Sequence, residues 1–290
     1  MQNQSRQGLV KHWRKNLQNF YMLADQQADK VWYSFHVLMA YAAFLWCFIE
    51  RVLTLMSRKT RLLVIEDEIA IRTGLVDTFV FHGYEVESAA EGDSGLKMAL
   101  DNHYDLILLD IMLPGMNGYD ICAHIREHDR DQPIIMLTAK SGDEDIIQGL
   151  SLGADDYVAK PFSIAQLVLR VEAVLRRTQA GKQMQRQIKL DDGVELDTQN
   201  LSGHCDETEL AFTRREMDII EFLHANSDRP VSREELLTRV WGYAKNLDLE
   251  TRTVDIHIAK VRRKIERDSS NPIFLVTVRG AGYRLIAAET

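Results

Sequence analysis

The stretch DLILLDIMLPGMNGYD, Asp105–Asp120, decides the fold of the segment around it. It opens with four aliphatic residues, Leu106–Leu109, and no polar residue lies among them. A continuous apolar run of this length is typical of a strand that is buried on both faces, as in a parallel sheet. The run stops at Asp110, and Pro114-Gly115 marks a turn soon afterwards. Asp110 is therefore predicted to stand at the carboxyl end of a buried strand.

Similar short apolar runs occur on both sides of this strand. They are Leu62–Ile65, Tyr84–Val86, Ile134–Leu137 and Tyr157–Val158. Between the runs lie patterns of helical period, at 68–81, 93–102, 118–128, 143–152 and 163–177. Strands that alternate with helices favour βαβ crossovers, which build an open parallel sheet. The sequence therefore predicts an α/β domain with about five parallel strands.

Polar residues follow most of these runs at the point where each predicted strand ends. They are Glu66 and Asp67 after the first run, then Asp110, Thr138 and Lys160. An open α/β sheet binds its ligand outside the carboxyl ends of its strands, so we expect these side chains to meet there. Three carboxylates in one place repel each other unless a cation lies among them, and oxygen ligands favour Mg²⁺. A lysine and a hydroxyl beside that ion suit a phosphoryl group, and an aspartate can accept one as an acyl phosphate.

These stretches resemble the receiver domain of two-component response regulators. The matching segments cover residues 61–178 and read LLVIEDE, DLILLDIMLPGMNGYD, PIIMLTA and GADDYVAKPF. The resemblance implies a flavodoxin-like fold and phosphorylation of Asp110 by a sensor histidine kinase. It also implies Mg²⁺ bound by the side chains of Glu66, Asp67 and Asp110 and by the main-chain carbonyl of Met112.

The same resemblance implies roles for three further residues. Thr138 and Lys160 would contact the phosphoryl group, and Tyr157 would turn inward when Thr138 moves. The Lys160–Pro161 peptide bond would be cis. Phosphohydrolases of the haloacid-dehalogenase type also use an aspartate after a strand, but they need a second acid two residues later, where this chain has Met112. The enzyme alternative is accordingly disfavoured.

The resemblance further implies a dimer surface on the receiver domain. Asp156 and Arg170 stand where the family has one reciprocal ion pair. Ile146 and Gln166 stand where a second pair is usual, so both partners of that pair are absent. Replacing both partners avoids a buried unpaired charge. We expect a phosphorylation-driven homodimer with a more apolar contact than is usual.

The C-terminal part of the chain has a different pattern. A polar stretch at 179–187 is predicted to be a linker, and short strand-like runs follow it. Two helices are predicted to begin at Thr213 and Ser232, each with a glutamate three residues later that completes a capping-box pattern. A third helix begins at Thr251 and carries apolar residues at helical spacing beside a strongly basic face. Two strands joined at Gly280-Ala281-Gly282 complete the pattern of an α+β winged helix.

This segment, 188–290, resembles the effector domain of the OmpR/PhoB family. The resemblance rests on TRTVDIHIAKVRRKIE and TVRGAGYRL. It implies that the third helix enters the major groove of double-stranded DNA while the wing reaches the minor groove or the backbone. By match, the DNA-facing residues are Arg252, His257, Lys260, Arg262, Arg263 and, in the wing, Arg279. The loop after Trp241-Gly242 occupies a position where some members of the family contact RNA polymerase.

The distribution of charge bears on DNA binding, and the cysteine content bears on the cellular compartment. The chain has a net charge of −8, but residues 58–181 hold 12 basic against 21 acidic residues, while residues 182–290 are nearly balanced at 17 against 19. The basic third helix is therefore a local feature that the total conceals. The cysteines, Cys47, Cys122 and Cys205, form no disulfide or metal-ligand pattern, which favours a reducing cytoplasm.

The first 57 residues stand apart from both domains. Val31–Ile49 is a run of nineteen residues without a formal charge, close to the length of a membrane span. We expect a helical extension there, with three interpretations left open. In the first, the segment is an upstream extension outside the functional core, such as an error in the assigned start codon would produce. In the second, it is a membrane anchor with the later residues in the cytoplasm. In the third, it is a helix packed on protein.

The sequence as a whole predicts a transcription regulator that is not an enzyme. Phosphorylation of Asp110 with Mg²⁺ is expected to favour dimerisation and DNA binding. Three alternatives are left open, and the first two differ from this interpretation in class. The chain could act chiefly as a phosphoryl carrier or sink, bind DNA irrespective of phosphorylation, or be a membrane-associated form of the same regulator. The complete wing argues against the first, and the intact acidic cluster argues against the second.

Overall fold

Five parallel strands form the first sheet, in the order β2-β1-β3-β4-β5. The strands are β1 Arg61–Ile65, β2 Glu85–Ala89, β3 Leu106–Asp110, β4 Ile134–Thr138 and β5 Asp156–Ala159. The helices that the structure describes with them are α1 Ile69–Phe81, α2 Gly92–Asp101, α3 Gly118–His128 and α4 Ile164–Gln179. This is the flavodoxin-like receiver fold, so the predicted fold class of this domain is confirmed.

The computed structural model describes residues 59–138, 147, 149–179, 187–191, 193–243 and 251–287. All of them belong to one compact unit, 59–290. The segment 31–49, Ile146 and most of the predicted linker lie outside the described residues. Within the described ranges, no helix combines the length and the apolar character that a membrane crossing needs.

The aliphatic runs fill both faces of the sheet, which explains why they lack polar interruptions. Along β1, Leu63 and Ile65 belong to one hydrophobic cluster, whereas Leu62 and Val64 belong to the cluster on the opposite face. Successive residues of a strand point to opposite faces, so only a sheet covered on both sides buries all of them. The order of the strands places β1 beside β3 at the centre of the sheet.

The second domain begins with a four-stranded antiparallel sheet, and three helices and a hairpin follow it. Its strands are β6 Gln187–Asp191, β7 Val194–Asp197, β8 Ser202–Cys205 and β9 Thr208–Ala211. The later elements are α5 Arg214–His224, α6 Arg233–Arg239, α7 Arg252–Ile265, β10 Leu275–Val278 and β11 Gly282–Leu285. Three helices closed by a β-hairpin form a winged helix, as predicted. We call this part the effector domain.

Local interactions at the helix ends match the sequence pattern. At α5 the side chain of Thr213 accepts a hydrogen bond from the Glu216 amide, and the Glu216 carboxylate accepts one from the Thr213 amide. At α6 the Ser232 hydroxyl accepts from the Glu235 amide at 3.1 Å. The apolar face of α7 is buried in the effector core through Val254, Ile258, Val261 and Ile265.

Two helical glycines of the receiver domain are expected to respond oppositely to replacement by alanine. At Gly118 the added Cβ would lie 2.2 Å from the main-chain oxygen of Asp110, so Gly118→Ala should lower the free energy of unfolding by roughly 1–3 kcal/mol. At Gly74 it would meet nothing within 4 Å, so Gly74→Ala should raise that free energy by roughly 0.5–1 kcal/mol. Urea unfolding measures both, and changes of the same sign would contradict this packing.

Candidate functional site

The acidic residues predicted to bind a metal lie together at the carboxyl edge of the receiver sheet. Asp110 is the last residue of β3, while Glu66 and Asp67 directly follow the neighbouring strand β1. One carboxylate oxygen from each of the three lies within 4.8 Å of the others. Glu66 and Asp110 are buried, whereas Asp67 is exposed. The cluster is therefore open to solvent on the side of Asp67.

Lys160 lies between the two buried carboxylates. Its ammonium group donates hydrogen bonds to Glu66 at 2.8 Å and to Asp110 Oδ2 at 2.9 Å. It directly follows β5, and the peptide bond between it and Pro161 is cis, as the resemblance implies. The Lys160 amide donates to the carbonyl of Thr138 at 2.6 Å, so the chain that carries the lysine is fixed to the end of β4. Parallel strand order thus assembles residues that lie up to 94 positions apart.

The electrostatics of this cluster favour a cation. Burial raises the pKa of the Glu66 carboxyl to about 7, the charge of Asp110 adds to this rise, and Lys160 opposes both effects. Three carboxylates and one lysine leave two negative charges uncompensated when all four groups are ionised. Oxygen donors in this arrangement are the ligands that Mg²⁺ prefers. The residues present therefore fit a magnesium ion held by Glu66, Asp67 and Asp110.

The remaining residues predicted for this site surround the cluster. Thr138 is buried at the end of β4, and β4 pairs with β3 on one side and β5 on the other. Tyr157 is buried on β5 in the hydrophobic cluster that holds Leu150. The Met112 amide donates to Asp110 Oδ1 at 3.3 Å, and its side chain is exposed. The edge of the sheet thus carries three carboxylates, a lysine and a threonine in one place.

The six residues predicted to contact DNA differ in their exposure to solvent. Arg252, Arg263 and Arg279 are exposed. Arg262 is half-buried and donates to the carbonyl of Leu275 at 2.7 Å and to the Thr277 hydroxyl at 2.8 Å, so it ties α7 to the wing. The other two residues, His257 and Lys260, form a separate group because both are buried.

His257 and Lys260 face the receiver domain in this structure. Lys260 donates to the carbonyl of Leu150 at 2.9 Å and pairs with Glu216 at 2.9 Å. His257 packs edge-on against Trp241, with ring centroids 5.4 Å apart. Burial, with the neighbouring charges of Lys260 and Arg215, holds the pKa of His257 well below its usual range. In this arrangement neither side chain is accessible to DNA.

The predicted dimer residues pair with each other inside one chain. Arg170 donates to Asp156 Oδ2 at 2.6 Å, and both side chains are largely buried. The Tyr243 hydroxyl donates to the same carboxylate oxygen. Sequence reasoning missed Tyr243, because nothing in its local pattern indicates a partner 87 residues away.

Comparison with known proteins identifies the two domains. The family model of the response regulator receiver domain matches residues 62–172, and that of the C-terminal domain of transcriptional regulatory proteins matches residues 207–285. The chain belongs to the OmpR/PhoB family of response regulators. This response regulator therefore joins a receiver domain to a DNA-binding domain that acts in transcription regulation.

Several proteins resemble this response regulator over nearly their whole length. The probable transcriptional regulator ycf27 of Galdieria sulphuraria is 40% identical over 234 residues, which are 79% of this chain and 91% of that protein. The response regulator ArlR of Staphylococcus haemolyticus is 39% identical over 224 residues, 77% of this chain and 98% of that one. A solved structure of a RitR mutant has a TM-score of 0.60 and 29% identity, and the match covers 78% of this chain and 98% of that one.

A buried glutamate in the effector domain, Glu216, has more partners than its sequence pattern indicates. Its role in the cap was predicted, but its two lysine partners, Lys260 and Lys264, were not. Lys264 donates to Glu216 at 2.6 Å, and burial lowers the pKa of that lysine while the charge of Glu216 opposes the effect. Burial alone raises the pKa of Glu216, but the two lysines outweigh it and hold the pKa at about 2. The carboxylate thus couples the cap of α5 to the basic face of α7.

The pKa of Glu216 predicts a specific loss of stability in acid. Because the folded value of about 2 lies below the ordinary value of 4.5, this group stabilises the fold fully above about pH 4.5 and loses its effect as the pH falls towards 2. Between pH 5 and 2 the wild-type chain should lose roughly 3 kcal/mol more unfolding free energy than Glu216→Gln. Urea unfolding across this range measures the difference. The exposed Glu209→Gln serves as the matched control, and a pH profile of Glu216→Gln that parallels the wild type would contradict the assignment.

Proposed function

We propose that this chain is a transcription regulator switched by phosphorylation of Asp110. The observation that carries the proposal is the cluster of Glu66, Asp67, Asp110 and Lys160 at one sheet edge. A family relationship alone leaves open whether the acidic site is intact, since a domain can keep its fold after losing its chemistry. In support of an intact site, the carboxylates of Glu66, Asp67 and Asp110 lie within 4.8 Å of one another, and Lys160 donates to Asp110 at 2.9 Å.

The phosphoryl transfer follows from the groups at this edge. A carboxylate oxygen of Asp110 attacks the phosphorus of a phosphohistidine on the sensor kinase. A phosphorus–oxygen bond forms, the phosphorus–nitrogen bond breaks, and its electron pair stays on the imidazole. Lys160 offsets charge on the transferred group, and the Thr138 hydroxyl is proposed to donate a hydrogen bond to it. Bound Mg²⁺ supplies charge neutralisation for the phosphoryl oxygens.

This chemistry makes the receiver domain a phosphoacceptor that takes part in its own modification. The chain is not proposed to turn over an external substrate. The partner kinase presents its phosphohistidine on the open side of the cluster, beside the exposed Asp67. Because this regulator must reach both the kinase and DNA, residues 58–290 are proposed to act in the cytoplasm.

Asp110 is expected to be required both for phosphorylation and for tight DNA binding. With acetyl phosphate and Mg²⁺, the wild-type chain should gain the mass of one phosphoryl group and bind a DNA duplex, selected from a random pool, roughly tenfold more tightly. Asp110→Asn should show neither change, because it lacks the attacking carboxylate oxygen. Intact-mass spectrometry and fluorescence anisotropy measure the two effects.

The control for this experiment is Asp101→Asn, which changes an exposed aspartate at the end of α2 and should behave as the wild type. Equal DNA affinities for the wild type and Asp110→Asn, with and without acetyl phosphate, would show that phosphorylation of Asp110 does not control DNA binding. The chain would then be a phosphorylation-independent DNA binder.

The effector domain is proposed to bind double-stranded DNA through α7 and the wing. Arg252 and Arg263 present positive charge along α7, and Arg279 lies at the turn between β10 and β11. Arg262 braces the wing against α7. His257 and Lys260 complete this surface only when α7 is separated from the receiver domain. Most of these side chains are expected to contact phosphates, which orient the protein without reading the sequence.

Arg263→Ala and Arg279→Ala are each expected to weaken DNA binding and to reduce its dependence on salt. The slope of log affinity against log salt should fall by about one for each phosphate that the variant no longer neutralises. Anisotropy titrations at several salt concentrations measure the slope. Lys189→Ala removes an equal charge from β6, on the other sheet of the domain, and should leave the slope unchanged. If Lys189→Ala reduced the slope as much as Arg263→Ala, the proposed surface would be wrong.

Phosphorylation is proposed to act through a homodimer of receiver domains that uses Asp156 and Arg170. Two effector domains would then bind tandem half-sites on DNA. Contact with RNA polymerase is proposed for the loop after Trp241-Gly242, most of which lies outside the described residues. The linker at 179–187 separates the two domains in this proposal.

A further inference from the structure

The exposed face of α3 carries metal-ligating side chains that the proposed function does not use. We propose that His124, Glu127 and His128 bind a divalent transition-metal ion of the zinc class, at a place separate from the magnesium site at Asp110. We call these three residues the α3 site. They lie in the last two turns of α3. The inference concerns binding of the ion and goes beyond the phosphorylation switch.

The spacing of the α3 site follows from the sequence HIREH, which is helical throughout. His124 and His128 are four positions apart, and side chains at this spacing lie one above the other on the same face of a helix. Glu127 lies three positions after His124, so it belongs to this face as well. Some zinc peptidases bind their ion with the pattern His-x-x-Glu-His. A pattern of five residues also occurs by chance, so the surroundings of these side chains decide whether they can bind an ion.

Hydrogen bonds set the same tautomer on both imidazole rings. Nδ1 of His124 lies 2.8 Å from the main-chain oxygen of Asp120, and Nδ1 of His128 lies 2.8 Å from that of His124. A carbonyl oxygen can only accept, so each Nδ1 donates, and the neutral ring then carries its lone pair on Nε2. Histidines that bind metals almost always donate their other ring N–H to an oxygen in this way. Both rings are therefore held in the form whose Nε2 can bind an ion.

The ligand atoms of the α3 site are accessible. His124, Glu127 and His128 are all exposed. Among the residues that the structure describes, neither the Glu127 carboxylate nor Nε2 of either histidine has a hydrogen-bond or ion-pair partner. The basic residue between them, Arg126, is buried on the other face, where it pairs with Asp155 at 3.0 Å. Exposed side chains change rotamer readily, so the three ligand atoms can close around one ion.

The end of α3 also favours a positive charge. The partial negative charge of a helix dipole lies at its C-terminus, and His128 is the last residue of α3. The charged residues around this end are Glu127, Asp129, Arg130, Asp131 and Arg214. Arg214 donates to Asp131 at 2.7 Å, so these two charges offset each other. The other three leave one acidic residue in excess, and a cation relieves that excess.

An open cavity of about 310 Å³ lies beside the α3 site. Residues 127–131 line it on the receiver side, and residues 199–201 with Arg214 line it on the effector side. A zinc ion held by three protein ligands commonly keeps a fourth position for water. The cavity provides room for that water next to Glu127 and His128.

The ligand types separate the α3 site from the acidic cluster at the edge of the sheet. That cluster offers carboxylate oxygens from Glu66, Asp67 and Asp110, which suit Mg²⁺. Imidazole nitrogens suit zinc, copper, nickel and iron instead. Excess Mg²⁺ should therefore occupy the acidic cluster and leave the α3 site free to bind zinc.

The α3 site is tested by titrating Zn²⁺ into the full chain in the presence of excess Mg²⁺. A competing fluorescent chelator measures the affinity. His124→Ala and His128→Ala should each weaken zinc binding by roughly tenfold or more, because each removes a ligand. Glu127→Gln keeps the size of the side chain and should have a smaller effect in the same direction. All three residues are exposed, and circular dichroism checks that the variants remain folded.

Nuclear magnetic resonance of the chain labelled with ¹⁵N in its histidines gives a second readout. Zinc should shift the ring signals of His124 and His128 together, and the single variants assign these signals. His103→Ala is the matched control, because it removes an exposed receiver histidine that lies near Asp105 and outside the helices. This control should bind zinc as the wild type does.

The outcomes decide the proposal in either direction. Wild-type zinc affinity in both His124→Ala and His128→Ala, or ring signals that zinc leaves unshifted, would overturn the α3 site. A loss of affinity in only one of the two variants would indicate binding by a single surface histidine and would overturn it as well. Phosphorylation of Asp110 by acetyl phosphate should be equal in His128→Ala and the wild type, so a failure of the proposed function would not be mistaken for a failure of this site.

Discussion

The contact of Lys160 with two buried carboxylates organises the functional edge of this protein. Glu66 and Asp110 would repel each other strongly in a buried setting, and the lysine offsets only part of that repulsion. Asp67 adds a third charge at the open side. A cluster that retains excess negative charge favours the uptake of a cation, because the cation relieves this imbalance. The parallel sheet makes this possible by bringing three strand ends to one place.

Much of this edge could be predicted from the sequence because the relevant signals are local. Each of the residues at this edge lies within two positions of the end of an apolar run, and in an open parallel sheet the carboxyl ends of the strands form the ligand site. Asp110 after LILL and Lys160 before Pro161 are examples, and the structure brings both to the same cluster. The winged helix was predictable for a similar reason, since caps at Thr213 and Ser232 mark where helices begin.

The contact between the domains could not be predicted in this way. Tyr243 and Asp156 are 87 positions apart, and neither belongs to a periodic pattern that points to the other. The basic character of α7 indicated DNA, and for Arg252 and Arg263 exposure agrees with that interpretation. For Lys260 the same sequence signal is ambiguous, because a lysine that contacts phosphate and a lysine that contacts a main-chain carbonyl across a domain interface look identical in sequence. Only tertiary packing separates the two.

The burial of Lys260 shows what this packing requires. Its charge is costly to bury, so the cost must be offset by partners, here the carboxylate of Glu216 and the main-chain carbonyl of Leu150. The first partner belongs to the cap of α5 and the second to the receiver domain. Neither can be identified from the helical pattern of α7, because the partners of one buried charge come from two distant parts of the chain.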